Sequence, residues 1–186
     1  MSVFRTVKSS QVILKELMVP SYANFGGKVH GGVILSLMDK IAYTCAASHA
    51  KSYCVTASVD SVNFLNPVEV GELLTLYASV NYVGRSSMEV GIRVESEDFK
   101  NEHCKHTNTS YFSMVALNED TRQPVEVAGL ILESEAEIRR FVKGKYRKHA
   151  KKQYRDEMAA LDKELDFTRE IGRLTQDNCK IQLPKE

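Results

Sequence analysis

At 186 residues, 43% of them hydrophobic and 26% charged, the chain is long enough to bury a core and has the composition of an ordinary soluble protein. It reads as one domain plus an appendage, because single domains commonly run to roughly 100–200 residues. A formal net charge of +1 gives no global reason to expect nucleic acid or an acidic partner, the apolar runs are too short for a membrane span of about 20 residues, and the N-terminus MSVFRTVKSSQ lacks the apolar stretch of a secretory signal, so a cytoplasmic protein is expected.

Residues 10–19, SQVILKELMV, predict a first strand ending at Pro20, and SYANFGGK then reads as a loop. A helix is expected from near Gly31. Val33, Ile34, Leu37, Met38, Ile41, Ala42 and Cys45 recur at helical spacing, while Leu35, Tyr43 and Ala46 fill much of the other side. A helix apolar nearly all round should lie inside something that wraps it.

Strand follows strand after that. YCVTASVDSVNFL sets Val55, Ala57 and Val59 against Thr56, Ser58 and Asp60, and stops at the Asn66-Pro67 turn signal. GELLTLYASVNYVG alternates Leu74, Leu76, Ala78, Val80 and Tyr82 with Thr75, Tyr77, Ser79 and Asn81. Beyond GRSS, Met88, Val90, Ile92 and Val94 oppose Glu89, Arg93 and Glu95, so these two strands form an antiparallel hairpin. HTNTSYFSMVAL adds a strand ending near Leu117, before the turn-rich NEDTRQP.

A strand, a long helix and about four further strands on short connections indicate an α+β fold with an antiparallel sheet, since parallel pairing would need a crossover between strands. A single curved sheet wrapped around the central helix, the hot-dog arrangement, fits this order, and its exposed edge and face call for a partner subunit. The domain is placed at residues 1–130. Residues 131–186 are richer in helix formers and read as a helical C-terminal extension. Within it Lys143, Lys145, Arg147, Lys148, Lys151, Lys152 and Arg155 form a basic block without an acidic residue. That block is either a surface for anions, RNA or anionic lipid, or a solvated helix face that also docks on the domain.

Cys45, Cys54, Cys104 and Cys179 show no metal-ligand spacing and no C-x-x-C pair, so reduced thiols are expected, with neither a disulfide framework nor a metal site.

The chemistry concentrates in NFGGKVHGGVILSLMD. Asp39 interrupts an apolar helix, where an ionised carboxylate is costly unless it is paired or borders a cavity. It reads either as a structural carboxylate at a subunit interface or as a catalytic group. Gly31 and Gly32 lie at the helix start, where amides lack intrahelical acceptors and a carbonyl oxygen could approach, as in an oxyanion hole. Asp39 could deprotonate a water, and Asn24 in the preceding loop could orient that water or the carbonyl. The bland alternatives are a tight loop and helix entry for Gly26, Gly27, Gly31 and Gly32 and an Asx-type turn for Asn24. His30 reads as a packing residue at the helix entry, because GGVIL is not a nucleophile elbow, and the glycines are followed by no phosphate-loop lysine.

These residues resemble the hot-dog acyl-CoA thioesterases of the cytosolic and brain acyl-CoA hydrolase type and their bacterial relatives. The likeness runs over residues 10–117 and rests on NFGGKVHGGVILSLMD, VTASVDSVNFLNPVEVGELL, NYVGRSSMEVGIRVE and HTNTSYFSMVAL together. It implies hydrolysis of fatty acyl-CoA to fatty acid and coenzyme A, a place in lipid and fatty acid metabolism, and no cofactor beyond the coenzyme A of the substrate. It also implies a homodimer joined sheet to sheet, commonly a hexamer built as a trimer of dimers, with active sites between subunits. By the same resemblance Asp39 matches the catalytic carboxylate, Asn24 the asparagine reaching across the dimer interface, and Thr56 a strand hydroxyl facing the reacting water. Gly31 and Gly32 match the carbonyl-polarising amides, and Arg85, Ser86 and Ser87 a hairpin touching coenzyme A phosphate or pantetheine. Arg85 in a hairpin turn is equally an ordinary surface arginine. Asn66 departs from relatives that often carry a basic residue beside the proline, which weakens the expected phosphate contact there, and the tail from about Gly129 lies outside the resemblance. Two other activities share the fold: a non-catalytic acyl-CoA or nucleotide-binding module, which needs no Asp39–Asn24 pair, and a dehydratase, for which His30 is the nearby histidine.

Overall fold

In the computed structural model, which describes residues 3–183, the chain runs β1 (Phe4–Thr6), β2 (Val12–Leu17), α1 (Gly31–Ala50), β3 (Tyr53–Val59), β4 (Leu73–Val83), β5 (Ser87–Asp98), β6 (His103–Leu117), β7 (Gly129–Ile131), α2 (Glu135–Glu164) and α3 (Phe167–Arg173). β2, β4, β5, β6 and β3 form one antiparallel sheet in that order, and α1 packs against all five of its strands. One helix can touch every strand of a sheet that wide only if the sheet curls around it, so the hot-dog arrangement stands.

The core follows from the alternation. Met88, Val90, Ile92 and Val94 on β5 and Leu74, Leu76 and Val80 on β4 are buried in one cluster with Ile34, Met38, Ile41 and Cys45 of α1 and with Phe112 and Met114 of β6. Truncating a buried Leu or Ile in such a core costs about 2–5 kcal/mol.

Three expectations are corrected. First, α1 is not covered all round. Leu35, Ser36, Asp39, Lys40, Tyr43 and Thr44 form an exposed stripe along it, because the curled sheet reaches only the opposite side. Second, bulges break the expected alternation. Thr56 pairs with Met114 and Ser58 with Ser113, so Ala57 is the extra residue, and the strand stops at Val59. Residues beyond it still follow β6, with the Asp60 amide donating to the Tyr111 carbonyl at 2.9 Å and the Leu65 amide to that of Thr107 at 2.8 Å. A second bulge at Asn81 pairs Tyr82 with Glu89 and turns it off the core face, where its ring meets Phe141 at 5.0 Å. Third, β1 and β7 form a short parallel pair that residue patterning did not show.

The chain divides into two compact units, one through Gly144 and one from Lys145 onward. The composition change at residue 131 thus falls inside β7, and the first turns of α2 belong with the sheet. Gly144 explains the close approach there: a Cβ would meet the Tyr82 Cβ at 2.7 Å. In the second unit α3 is started by Asp166, whose carboxylate accepts from the Thr168 and Arg169 amides, and Tyr154, Met158, Leu161, Leu165 and Phe167 are exposed.

Two buried ionisable groups couple the fold to pH. Burial alone would raise the Glu72 pKa, but hydrogen bonds from Lys105, Ser96 and the Glu69 amide outweigh it and hold the carboxyl below its usual range. His49 is fully buried; its Nε2–H donates to the Ala128 carbonyl at 2.9 Å, while Nδ1 has no hydrogen-bond partner among the described residues. Burial lowers its pKa, the Ala128 contact opposes this, and the Arg5 and Lys51 charges add to the lowering. The folded state therefore prefers neutral His49. That contribution is present in full above the unfolded value of about 6.5 and declines as pH falls below it, with Glu72 adding a further loss at more acidic pH. The urea midpoint should accordingly drop more for wild type than for His49→Gln between about pH 7.5 and 5.5. Equal drops would remove His49 from the account.

Candidate active site

The carboxylate of Asp39 projects from the exposed stripe of α1 toward β3, where the Thr56 hydroxyl donates to Oδ1 at 2.6 Å. Thr56 Oγ1 also lies 3.5 Å from the Met114 sulfur, but its single proton goes to the stronger, charged acceptor. Oδ2 has no partner among the described residues. The pair borders an open pocket of about 540 Å³ lined also by Lys40, Tyr43, Thr44, Tyr53, Cys54 and Val55. Asp39 is thus polar in an apolar helix because it faces outward into this pocket, not into the core.

Thr56 was expected to face water. In the structure its hydroxyl stands at the border of the pocket and donates to Asp39 Oδ1. Cys54 is the thiol in the pocket, and burial pushes its pKa up to about 11. It stays a protonated, poor nucleophile near neutral pH.

The helix entry is built by capping. His30 Nδ1 accepts from the Gly32 amide at 2.9 Å, and the His30 carbonyl accepts from Val33 at 2.9 Å. Gly32 is therefore engaged, whereas nothing among the described residues accepts from the Gly31 amide. The Phe64 ring covers Gly31 so closely that a Cβ there would sit 3.3 Å from Cζ. Nδ1 of His30 is thus occupied by the cap.

Asn24 shapes the preceding loop. Its Oδ1 accepts from the Gly26 and Lys28 amides at 2.8 and 3.2 Å, the Asx-type turn of the bland reading, which leaves the Nδ2 amide exposed as a donor. It does not line the Asp39 pocket of its own chain. Gly31 precedes Asp39 by eight positions, about 12 Å of helix. Within one chain, then, Asp39 and Thr56 meet, while Asn24 and Gly31 stand apart from them.

Arg85, Ser86 and Ser87 form the β4–β5 turn, closed by the Gly84 amide on the Ser87 carbonyl at 2.7 Å. The Arg85 and Ser86 carbonyls accept from Val127 and Ala116, so this turn is tied to β6 and to the segment after it. It lies outside the pocket of Asp39. Asn66 donates to the His106 carbonyl at 2.9 Å and pins its segment to β6, a structural use for the residue that departs from the family pattern. Residue patterning missed Tyr43, Tyr53 and Lys40; the signal for Tyr43 was its place one helical turn beyond Asp39.

Comparison with known proteins places the chain in a family. The thioesterase superfamily model matches residues 26–101. Protein VdlD of Helicobacter pylori is 44% identical over 136 residues, 73% of this chain and 77% of that protein. The uncharacterized acyl-CoA thioester hydrolase YkhA of Bacillus subtilis is 36% identical over 134 residues, 72% of this chain and 77% of its own. Among solved structures, an apo-hexameric acyl-CoA thioesterase superposes with a TM-score of 0.79 at 35% identity, covering 82% of this chain and 97% of the other. The Staphylococcus aureus acyl-CoA hydrolase, solved with butyryl coenzyme A and coenzyme A, gives a TM-score of 0.78 at 31% identity, covering 87% and 98%. Alanine variants of that enzyme at a threonine, an aspartate and an asparagine have also been solved. The chain belongs to the hot-dog acyl-CoA thioesterases of the thioesterase superfamily.

Proposed function

We propose that this protein hydrolyses fatty acyl-CoA to a free fatty acid and coenzyme A, with Asp39 as general base. The observation that carries the reading is the Thr56–Asp39 hydrogen bond at the mouth of an open pocket. A carboxylate locked through one oxygen and free at the other is arranged to take a proton from water. The three residues replaced in the Staphylococcus aureus variants follow one another at the same intervals as Asn24, Asp39 and Thr56 here, which supports the assignment.

The thioester carbonyl oxygen rests on the Gly31 amide at the positive end of α1, where developing negative charge is stabilised. Water, deprotonated by Asp39, adds to the carbonyl carbon; the tetrahedral oxyanion collapses, and the C–S bond breaks to release the coenzyme A thiolate. Asn24 Nδ2 orients the water or carbonyl. Arg85, Ser86 and Ser87 take the coenzyme A portion. No resident cofactor enters the reaction.

Asn24 and Gly31 stand apart from Asp39 within a chain, so the site is completed by a second copy. The free edge of β3 and the exposed stripe of α1 are the surfaces on which that copy packs, joining two sheets edge to edge. The hexameric thioesterase among the structural neighbours supports a trimer of such dimers. The cytosolic acyl coenzyme A thioester hydrolase among the relatives supports action in the cytoplasm, and the substrate class supports a place in fatty acid metabolism. A dehydratase would need His30 as its base, and that nitrogen is used in capping.

Asp39→Asn should lower kcat by about 10²–10⁴ with the fold intact, the usual worth of general base catalysis. Thr56→Val should lower kcat less than Asp39→Asn does, and Thr56→Ser, which keeps the donor, should restore it; full activity in Asp39→Asn would end the assignment. Asn24→Asp keeps the Oδ1 acceptor of the turn but removes the amide donor, so it should lose turnover without losing thermal stability. If it unfolds at lower temperature and keeps kcat, Asn24 is structural. Single-turnover hydrolysis in ¹⁸O water should leave the Asp39 carboxylate unlabelled; label there would mean direct attack by Asp39 through a mixed anhydride.

A further inference from the structure

The pocket next to Asp39 has a wall that the hydrolysis itself does not use. Tyr43 lies one turn beyond Asp39 on α1, about 6 Å farther from the helix entry. Its ring meets that of Tyr53, at the start of β3, with centroids 6.3 Å apart and planes tilted by 59°. The guanidinium of Arg122 sits 5.0 Å from the centroid of the Tyr53 ring. All three side chains come from different elements, so their meeting is a product of the fold and not of sequence proximity.

Arg122 is held firmly. It adopts a left-handed backbone with φ of 57°, in the tight loop after β6. Its amide donates to the Asn118 carbonyl at 3.0 Å, and Asn118 Oδ1 accepts from the Asp120 and Thr121 amides at 3.0 and 2.8 Å. The Asn118 amide closes the loop on the Gln123 carbonyl at 2.9 Å. A loop bonded at so many points sets where the Arg122 backbone lies, and the cation–π contact joins its guanidinium to the Tyr53 ring.

The chemistry of the walls selects the occupant. Away from Asp39 and the Thr44 and Thr56 hydroxyls, the lining consists of the Tyr43 and Tyr53 side chains with Cys54 and Val55, and Lys40 is the one cation among the lining residues. The Arg122 charge is directed at a ring. A nucleotide phosphate calls for several converging donors, whereas a hydrocarbon chain needs only apolar surface. We propose that Tyr43 and Tyr53 form the wall that limits acyl-chain length, with Arg122 as the positioning residue that holds Tyr53 in place. The proposal rests on the acyl-CoA reading above and adds the residues that set its substrate range.

The test measures binding, so it does not depend on turnover. Thioether analogues of acyl-CoA, butyl-CoA and dodecyl-CoA, are titrated calorimetrically into the full-length protein. Tyr43→Ala and Tyr53→Ala should raise the preference for the dodecyl over the butyl analogue by at least about tenfold, the scale on which methylene-sized changes in an apolar pocket discriminate. Arg122→Ala should shift it the same way by less, and Arg122→Lys, which keeps the cation, should restore it. Tyr43→Leu and Tyr53→Leu serve if the alanine variants do not fold. An unchanged ratio in folded variants overturns the wall, and so does a ratio that changes equally for coenzyme A without a chain. Should the wild type bind these analogues yet hydrolyse no acyl-CoA, the hydrolase reading fails while the wall is still decided by the ratio.

Discussion

A five-stranded sheet of this width curls far enough to cover one side of a helix and no more, and the uncovered side of α1 governs everything else. Ile34, Met38, Ile41 and Cys45 anchor the helix in the core, while Leu35, Asp39 and Tyr43 stay outside it. A carboxylate on the inner side would carry an ionic desolvation cost of several kcal/mol without a partner. On the open side it needs only orientation, and Thr56 supplies that. The same half-covered state leaves apolar side chains in water, including Leu35, Tyr43, Val59, Phe64 and Leu65. Exposed apolar surface on the side of the fold that carries Asp39 is a reason to expect a second copy there.

The site therefore couples stability to function through two short connections. The bulge at Ala57 lets β3 continue along β6 while Thr56 stays in register with Met114, at the level of Asp39. The His30 cap starts α1 at Gly31 and uses up the Gly32 amide, so the Gly31 amide is the helix-terminal donor with no acceptor among the described residues.

Much of this was legible in the residues, for reasons that differ by element. The β4–β5 hairpin and α1 have strong periodicity, and burial simply follows it. The outward position of Asp39 was not legible, because Leu35 and Tyr43 on the same exposed stripe of α1 are large and apolar and look like core residues in the sequence. Bulges at Ala57 and Asn81 escape a two-residue period by their nature, so Tyr82 was assigned to the wrong face. β1 and β7 are three residues each and pair across most of the domain, which leaves no local signal. Asp39 and Asn24 stood out by residue type and place in the motif, but that Thr56 binds the Asp39 carboxylate depends on where a strand passes a helix. Tyr53 and Arg122 could be joined only by the folded chain.

The central claim, that one copy supplies Asp39 and another Asn24, is tested most directly by mixing subunits. Asp39→Asn and Asn24→Asp proteins, each nearly inactive, are denatured together, refolded and assayed with an acyl-CoA. A site shared between copies predicts that a mixed dimer regains one intact site of two, giving about a quarter of wild-type activity after random pairing. Activity no higher than the sum of the separate variants, with mixed dimers present, would place both residues in a single-chain site and contradict the account.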